Sequence, residues 1–312
     1  MIIKTTFDPR KVVPYVRAEL ALAAAASAAA YIAHEVAGAT IVALPIALIG
    51  VLGTALAIFL GFRNNTAAAR WNEASQLWGA ITSFSRAFAR LVITFVDSHS
   101  HTPQYDAAHA EAFKREMVMR QIAWVNALRL QLRGQSNWDE VRPFLSAEEY
   151  TLLMTKQNRA AYLLQLHGRR IYAAMASGTL QGFDSFQLEG CLLQFTNQQA
   201  GCERIKSTPL LRQYSYFTRL FVLIFIALLP FCLIGALAAA SQGWLLIPLT
   251  LLLAFVFGMV ERVGAVTEDP FENRIQDVPL SAICREIERS LREQLDEQEL
   301  PAPLAARDGY LF

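Results

Sequence analysis

The chain has 312 residues, 54% of them hydrophobic and 18% charged, and a formal net charge of +1. That is too apolar for an ordinary soluble protein and too charged for one lying wholly within a bilayer. The charge balance supplies no field for nucleic acid. The four cysteines (Cys191, Cys202, Cys232 and Cys284) follow no zinc-like or C-x-x-C spacing, which argues against a disulfide framework or a thiol site.

The first nineteen residues lack the short apolar core and small-residue cleavage site of a secretory signal, and read as a retained cytosolic segment. Residues 20–62 carry almost no charge and are about two membrane spans long, with a polar break at His34-Glu35 and Gly38. Residues 217–261 form a second such block, broken near Ser241-Gln242-Gly243. Each block predicts a helical hairpin, giving four spans in all. No Lys or Arg falls between Arg17 and Arg63 or between Arg219 and Arg262. Lys4, Arg10, Lys11, Arg17, Arg63 and Arg70 flank the first block, and Arg212, Arg219 and Arg262 flank the second. Positive charge on one side places both termini and the middle segment in the cytoplasm.

Residues 63–216 predict a cytoplasmic helical domain. The second span continues past Asn64 to about Thr94, and Asp97 to Pro103 is a polar loop. Asp106 to Leu132 has apolar residues at helical spacing. Ser146-Ala-Glu-Glu149 is a capping box, and Asn158 caps the next helix, which Gly178 closes. Asp184 opens a helix to about Ala200, followed by a loop from Gly201 to Pro209. In the last segment, 262–312, Pro279 starts a helix with Leu280, Ile283, Ile287, Leu291 and Leu295 on one stripe. Strand signals are nearly absent, so the fold class is all-α, an integral membrane protein with a helical cytoplasmic domain.

The second span holds the candidate site. Thr54, Ile58 and Phe62 recur at i, i+4 and i+8 and so share a helix face. Gly53, Ala55, Ala57 and Gly61 are small enough to let other helices approach. One chain with four spans cannot enclose an ion path, but several copies could present these side chains as stacked rings. A narrow apolar ring blocks ions by dewetting, and slight dilation admits them. The competing reading is a stripe that packs against a neighbouring helix. Arg63 and Arg70 read as positive-inside anchors with salt bridges to other subunits, against the alternative of functional charges at the inner mouth of a pore. His99 and His101, with His109 downstream, lack carboxylate or thiol ligands at firm spacing, so no metal or other cofactor is expected. His34 and Glu35 read as interfacial polar residues, since the spans offer no ionisable partner at depth. No nucleophile, metal or phosphate-loop motif supports an enzyme.

Three segments carry a family resemblance: GFRNNTAAARWNEASQLWG after the small-residue span, GCERIKSTPL before the third span, and EDPFENRIQDVPLSAICREIE after the fourth. Together with the hairpin layout they resemble the bacterial bestrophins. The resemblance implies a homopentamer around a central pore lined by the second spans. It also implies passive conduction of monovalent ions, with self and membrane lipids as the other partners. Counting back from Arg70 and Trp71, it places the hydrophobic neck on Thr54, Ile58 and Phe62. A hydroxyl at Thr54 should make the outer ring wetter and leave the barrier to Ile58 and Phe62. Bacterial members are associated with cations, chiefly sodium. The expectation is therefore a cation channel, with an anion channel as the alternative, then a transporter or a membrane scaffold. A cytosolic constriction falls at Gln181, with Asp184 and Glu189 as charges facing the vestibule. The family's calcium clasp falls on the segment after Asp269-Pro270-Phe271, where Arg274 replaces an expected acid, so little calcium dependence is expected.

Overall fold

The computed structural model describes residues 1–4, 13–101 and 105–312. Arg10 and Lys11 of the flanking charges, and Thr102 and Pro103 of the polar loop, lie outside the described residues. Those residues form nine α-helices with short 3-10 and π segments between them. Extended pairing among them is confined to isolated bridges, where Ile2 pairs with Tyr310 and Arg307 with Tyr310. Ile3 donates to the Gly309 carbonyl (3.0 Å) and Leu311 to that of Met1 (2.9 Å), so the two ends of the chain are tied together.

Two compact units result. One, the apolar unit, comprises Lys4–Trp71 and Pro209–Glu268; the other, the polar unit, comprises Met1–Ile3, Asn72–Thr208 and Asp269–Phe312. In the apolar unit, α1 (Arg17–Tyr31) leads into a π segment, Ile32–Val36, and a break where Gly38 takes φ +68°. Helix α2 (Ile46–Ser98) runs unbroken for 53 residues, and its residues divide between the two units at Trp71. It contains no proline and mostly good helix formers, so nothing in its sequence stops it. Helices α7 (Arg212–Ala239) and α8 (Leu246–Thr267) form the second hairpin. Four segments, each containing one of these helices, are long and apolar enough to cross a membrane: Val13–Val36, Thr40–Ser98, Arg212–Ala239 and Gly243–Thr267. The apolar unit's core is built from Ala23, Ile49, Leu56, Leu60, Val222, Phe225, Ile226, Leu229 and Ala254.

In the polar unit, α3 (Ala107–Arg133) is capped by Asp106, whose carboxylate accepts from the amides of Ala108 and His109, and it ends at Gly134 in the left-handed region. Helix α4 (Ala147–Met154) has the capping box of Ser146 and Glu149, and Asn158 caps α5 (Arg159–Ala176). Helix α6 spans Gly182–Ser207, which corrects the expectation of a loop from Gly201. Gly201 is a packing glycine: a Cβ there would lie 2.9 Å from Leu77 Cδ2 on α2. The glycine thus marks a close helix crossing, a role its sequence neighbours do not reveal. Helix α9 (Leu280–Glu293) buries Leu280, Cys284, Ile287 and Leu291, with Cys284 rather than Ile283 completing the stripe. The unit's core is dense with aromatic side chains. Phe195 lies 4.9 Å from Trp124 and 5.8 Å from Phe88 between ring centroids. Trp124 donates its indole N–H to Gln199 Oε1 (3.2 Å), and Gln199 donates to Asn158 Oδ1 (3.2 Å) and Glu203 Oε1 (2.8 Å).

Candidate functional site: two faces of one helix

Residues of an α-helix follow one another at about 100°. Within the apolar unit, α2 turns one stripe inward: Leu56 is 3% exposed, Leu60 2%, Arg63 4% and Ala67 0%. The opposite stripe is largely open among the described residues. Val51, Ile58 and Phe62 are 69%, 54% and 71% exposed, and Thr54 lies on the same open face. The small residues divide between the faces. A Cβ on Gly53 would lie 3.2 Å from the Phe225 ring, whereas nothing lies within 4 Å of one on Gly61. Thr54 donates its hydroxyl to the Gly50 carbonyl at 2.9 Å. Its proton is thus used within the helix, and only the oxygen lone pairs remain open to other partners.

Arg63 departs from the expectation of an anchor paired between subunits. It is buried inside its own chain, where Nη1 donates to Glu261 Oε1 (2.9 Å) and Nη2 to Glu268 Oε2 (3.2 Å). Ser215 donates a further hydrogen bond to Glu268 Oε2 at 3.0 Å. Next to it, Asn64 donates to the Val260 carbonyl at 3.0 Å. Gly264 makes this approach possible, since a Cβ there would fall 2.0 Å from Asn64 Oδ1. Ionisable groups thus occur at the ends of the apolar helices, whereas the expectation of no ionisable partner concerned their depth. The signal was available: Glu261 and Glu268 are seven residues apart, two helical turns, with Glu268 as the C-cap of α8. Arg63 ends an equally apolar run on α2.

In the polar unit, two of the predicted residues come together around an unexpected third. Gln181 is the exposed N-cap of α6, and its amide N–H donates to Asp184 Oδ2 at 2.9 Å. His99, just beyond the C-terminus of α2, sits 2.6 Å from the same oxygen through Nε2, with Gln181 Nε2 3.4 Å from its Nδ1. One tautomer satisfies both contacts: Nε2–H donates to Asp184 while Nδ1 accepts from Gln181. Asp184 is buried, with its carboxylate committed to these partners, whereas Glu189 is exposed. The neighbouring Phe183 and Phe186 are also open, at 68% and 73%. His99 thus has a structural partner that its histidine-rich surroundings obscured. No group of three or more His, Cys, Asp or Glu side chains suited to a metal occurs among the described residues.

The segment after Phe271 is closed on itself. The Arg274 amide donates to Asp277 Oδ2 (3.1 Å), Val278 donates to the Pro270 carbonyl (3.2 Å), and Lys206 pairs with Glu272 at 2.5 Å. Asp277 is 2% exposed, and burial raises its carboxyl above the ordinary value although the Arg274 and Glu272 amides oppose the shift.

These features define a multi-span α-helical membrane protein whose longest helix keeps one apolar face open. The family model described as Bacterial/Fungal Bestrophin protein matches residues 5–293, and the chain belongs to that family. It is similar to the voltage-dependent anion channel-forming protein YneE of Escherichia coli K12, with 32% identity over 254 residues, covering 81% of this chain and 78% of that protein. A voltage-dependent anion channel-forming protein of Mesorhizobium japonicum is also 32% identical, covering 84% and 78%. Among solved structures, a bacterial bestrophin homologue from Klebsiella pneumoniae superposes with a TM-score of 0.81 at 26% identity, covering 90% of this chain and 98% of that one.

Proposed function

We propose that the chain assembles as a ring of five identical copies and conducts anions across the bacterial inner membrane. The neck of this ring is formed by Thr54, Ile58 and Phe62. The observation that carries this reading is the open apolar stripe on α2, set opposite the stripe that the same helix buries in its own chain. Copies arranged about an axis would turn those side chains inward as stacked rings, with Ile58 and Phe62 as the dewetting barrier. Residues 1–19, 63–216 and 262–312 lie in the cytoplasm in this reading, and both hairpins, 20–62 and 217–261, lie in the bilayer. Gln181 narrows the cytosolic path, and Glu189 faces it.

The anion reading replaces the sodium expectation for two reasons. The relatives that the chain matches over four-fifths of its length are named anion channel-forming proteins. Of the two acids expected at the vestibule, Asp184 is also buried and engaged with His99, which leaves Glu189 as the exposed one. The test is a planar bilayer holding purified protein under a sodium chloride gradient. The expected reversal potential lies near the chloride equilibrium value; one near the sodium value overturns anion conduction. No current from wild type, nor from Ile58→Ala or Phe62→Ala, overturns the channel itself.

A further inference from the structure

Phe62 and Arg63 are consecutive, yet one is 71% exposed and the other 4%. Helical geometry puts their side chains about 100° apart, so whatever holds Arg63 also sets the direction of Phe62. Arg63 is held by two carboxylates, Glu261 of α8 and Glu268 at that helix's C-cap, with Ser215 of α7 bonded to the second. Asn64 adds a third attachment through the Val260 carbonyl, over a glycine with no room for a side chain. Apolar contacts alone do not fix rotation so sharply, because neighbouring rotations of a helix rich in Ala, Gly and Leu bury similar surface. A guanidinium fork on two carboxylates admits one rotation and one height.

We propose that Arg63, Glu261 and Glu268 form a clasp that fixes the rotation of α2, so that Arg63 is a positioning residue for the neck and carries no charge to the ion path. This rests on the channel reading above. An arginine next to the innermost neck residue would be the obvious source of anion preference. Here its charge faces two carboxylates, and its side chain is 2% exposed. Arg262, which follows Glu261 in sequence, lies over the Tyr15 ring at 5.8 Å. The preference for anions must therefore arise from other groups.

The experiment compares Arg63→Gln, Arg63→Lys and Glu268→Gln with wild type in planar bilayers under a chloride gradient, after wild type is seen to conduct. Arg63→Gln leaves two buried carboxylates without their cation, and open probability should change by about tenfold or more, the effect of losing roughly one charged hydrogen bond. Its reversal potential should stay at the wild-type value. Arg63→Lys, which keeps the charge but not the fork, should restore part of the wild-type gating, and Glu268→Gln should fall between. A reversal potential in Arg63→Gln moved toward the cation value, with open probability unchanged, would place Arg63 in the ion path and overturn the proposal. Unchanged gating and unchanged reversal potential in all three variants would overturn it equally. If Arg63→Gln does not assemble, as read by size-exclusion chromatography, the other two variants decide. Absence of current from wild type would count against the channel reading instead.

Discussion

The two units of this chain treat most large apolar side chains in opposite ways, with Phe183 and Phe186 of the polar unit as open exceptions. In the polar unit Trp78, Phe88, Phe113, Trp124 and Phe195 are all fully buried, and the Trp124 indole and the adjacent amides are hydrogen-bonded. In the apolar unit Val51, Ile58, Phe62, Phe217, Leu252 and Val263 are at least half exposed, while the buried positions of α2 include an arginine. Water as solvent dictates the first pattern, since exposing such rings costs about 25 cal/mol per Å². The second pattern is stable only where lipid or another copy replaces water. In lipid, apolar surface is no longer a guide to what packs inside, and polar contacts take over the task of fixing helix rotation.

Truncating a core ring breaks the comparison most sharply. Phe88→Ala should lower the stability of the polar unit by about 3–5 kcal/mol, because its cavity opens between Phe195 and His167. Ile58→Ala removes a similar apolar side chain from an open face, and should change stability by no more than about 0.5 kcal/mol. Thermal melting of the detergent-solubilised full chain measures both. Equal losses would mean that Ile58 is packed in the assembled state and does not line an open neck.

Much of the fold was legible because it is written in local chemistry. The caps at Asp106, Ser146 and Asn158 are side chains that bond the next turn's amides, and the charge-free blocks report the bilayer directly. That Thr54, Ile58 and Phe62 share a face was readable from i, i+4 spacing, but whether that face is open or packed was not. Contacts between distant segments were not readable. Glu261 and Glu268 look like the polar end of a span until Arg63, some two hundred residues earlier, is seen between them. His99 looked like part of a histidine cluster, but its partner lies eighty-five residues away on α6. Gly201 looked like a loop because a glycine chosen for close packing has the same letter as one chosen for a turn.

That glycine offers the next test, of intermediate size. Gly201→Val forces branched carbons into Leu77, which already lies within 3 Å of the first added carbon. The expected loss is about 1–3 kcal/mol, the usual cost of overpacking a tight crossing. Leu77→Ala in the same chain should recover part of that loss, because it vacates the space the valine needs. A Gly201→Val chain as stable as wild type would show that α2 and α6 are free to separate there.

The smallest effect is confined to acid pH and comes from the polar unit's one fully buried histidine. His167 is 0% exposed, its ring meets Phe88 edge-on at 5.1 Å, and neither ring nitrogen has a hydrogen-bond partner among the described residues. Burial, aided by the Arg120 charge, pushes its pKa well below the ordinary 6.5. Above that pH the imidazole is neutral in both folded and unfolded chains and contributes no pH dependence. Below it, the unfolded chain gains a proton that the folded chain refuses, so stability falls as pH drops from 6.5 toward the depressed folded value. A single proton limits the slope to about 1.4 kcal/mol per pH unit. His167→Leu keeps the bulk and removes both the titration and two unsatisfied nitrogens. It should melt at the wild-type temperature or above at pH 7.5, and lose less than wild type on going to pH 5.0. If both proteins lose the same amount, the acid limb belongs to carboxylates elsewhere, such as those that hold Arg120, and the buried imidazole is protonated without cost.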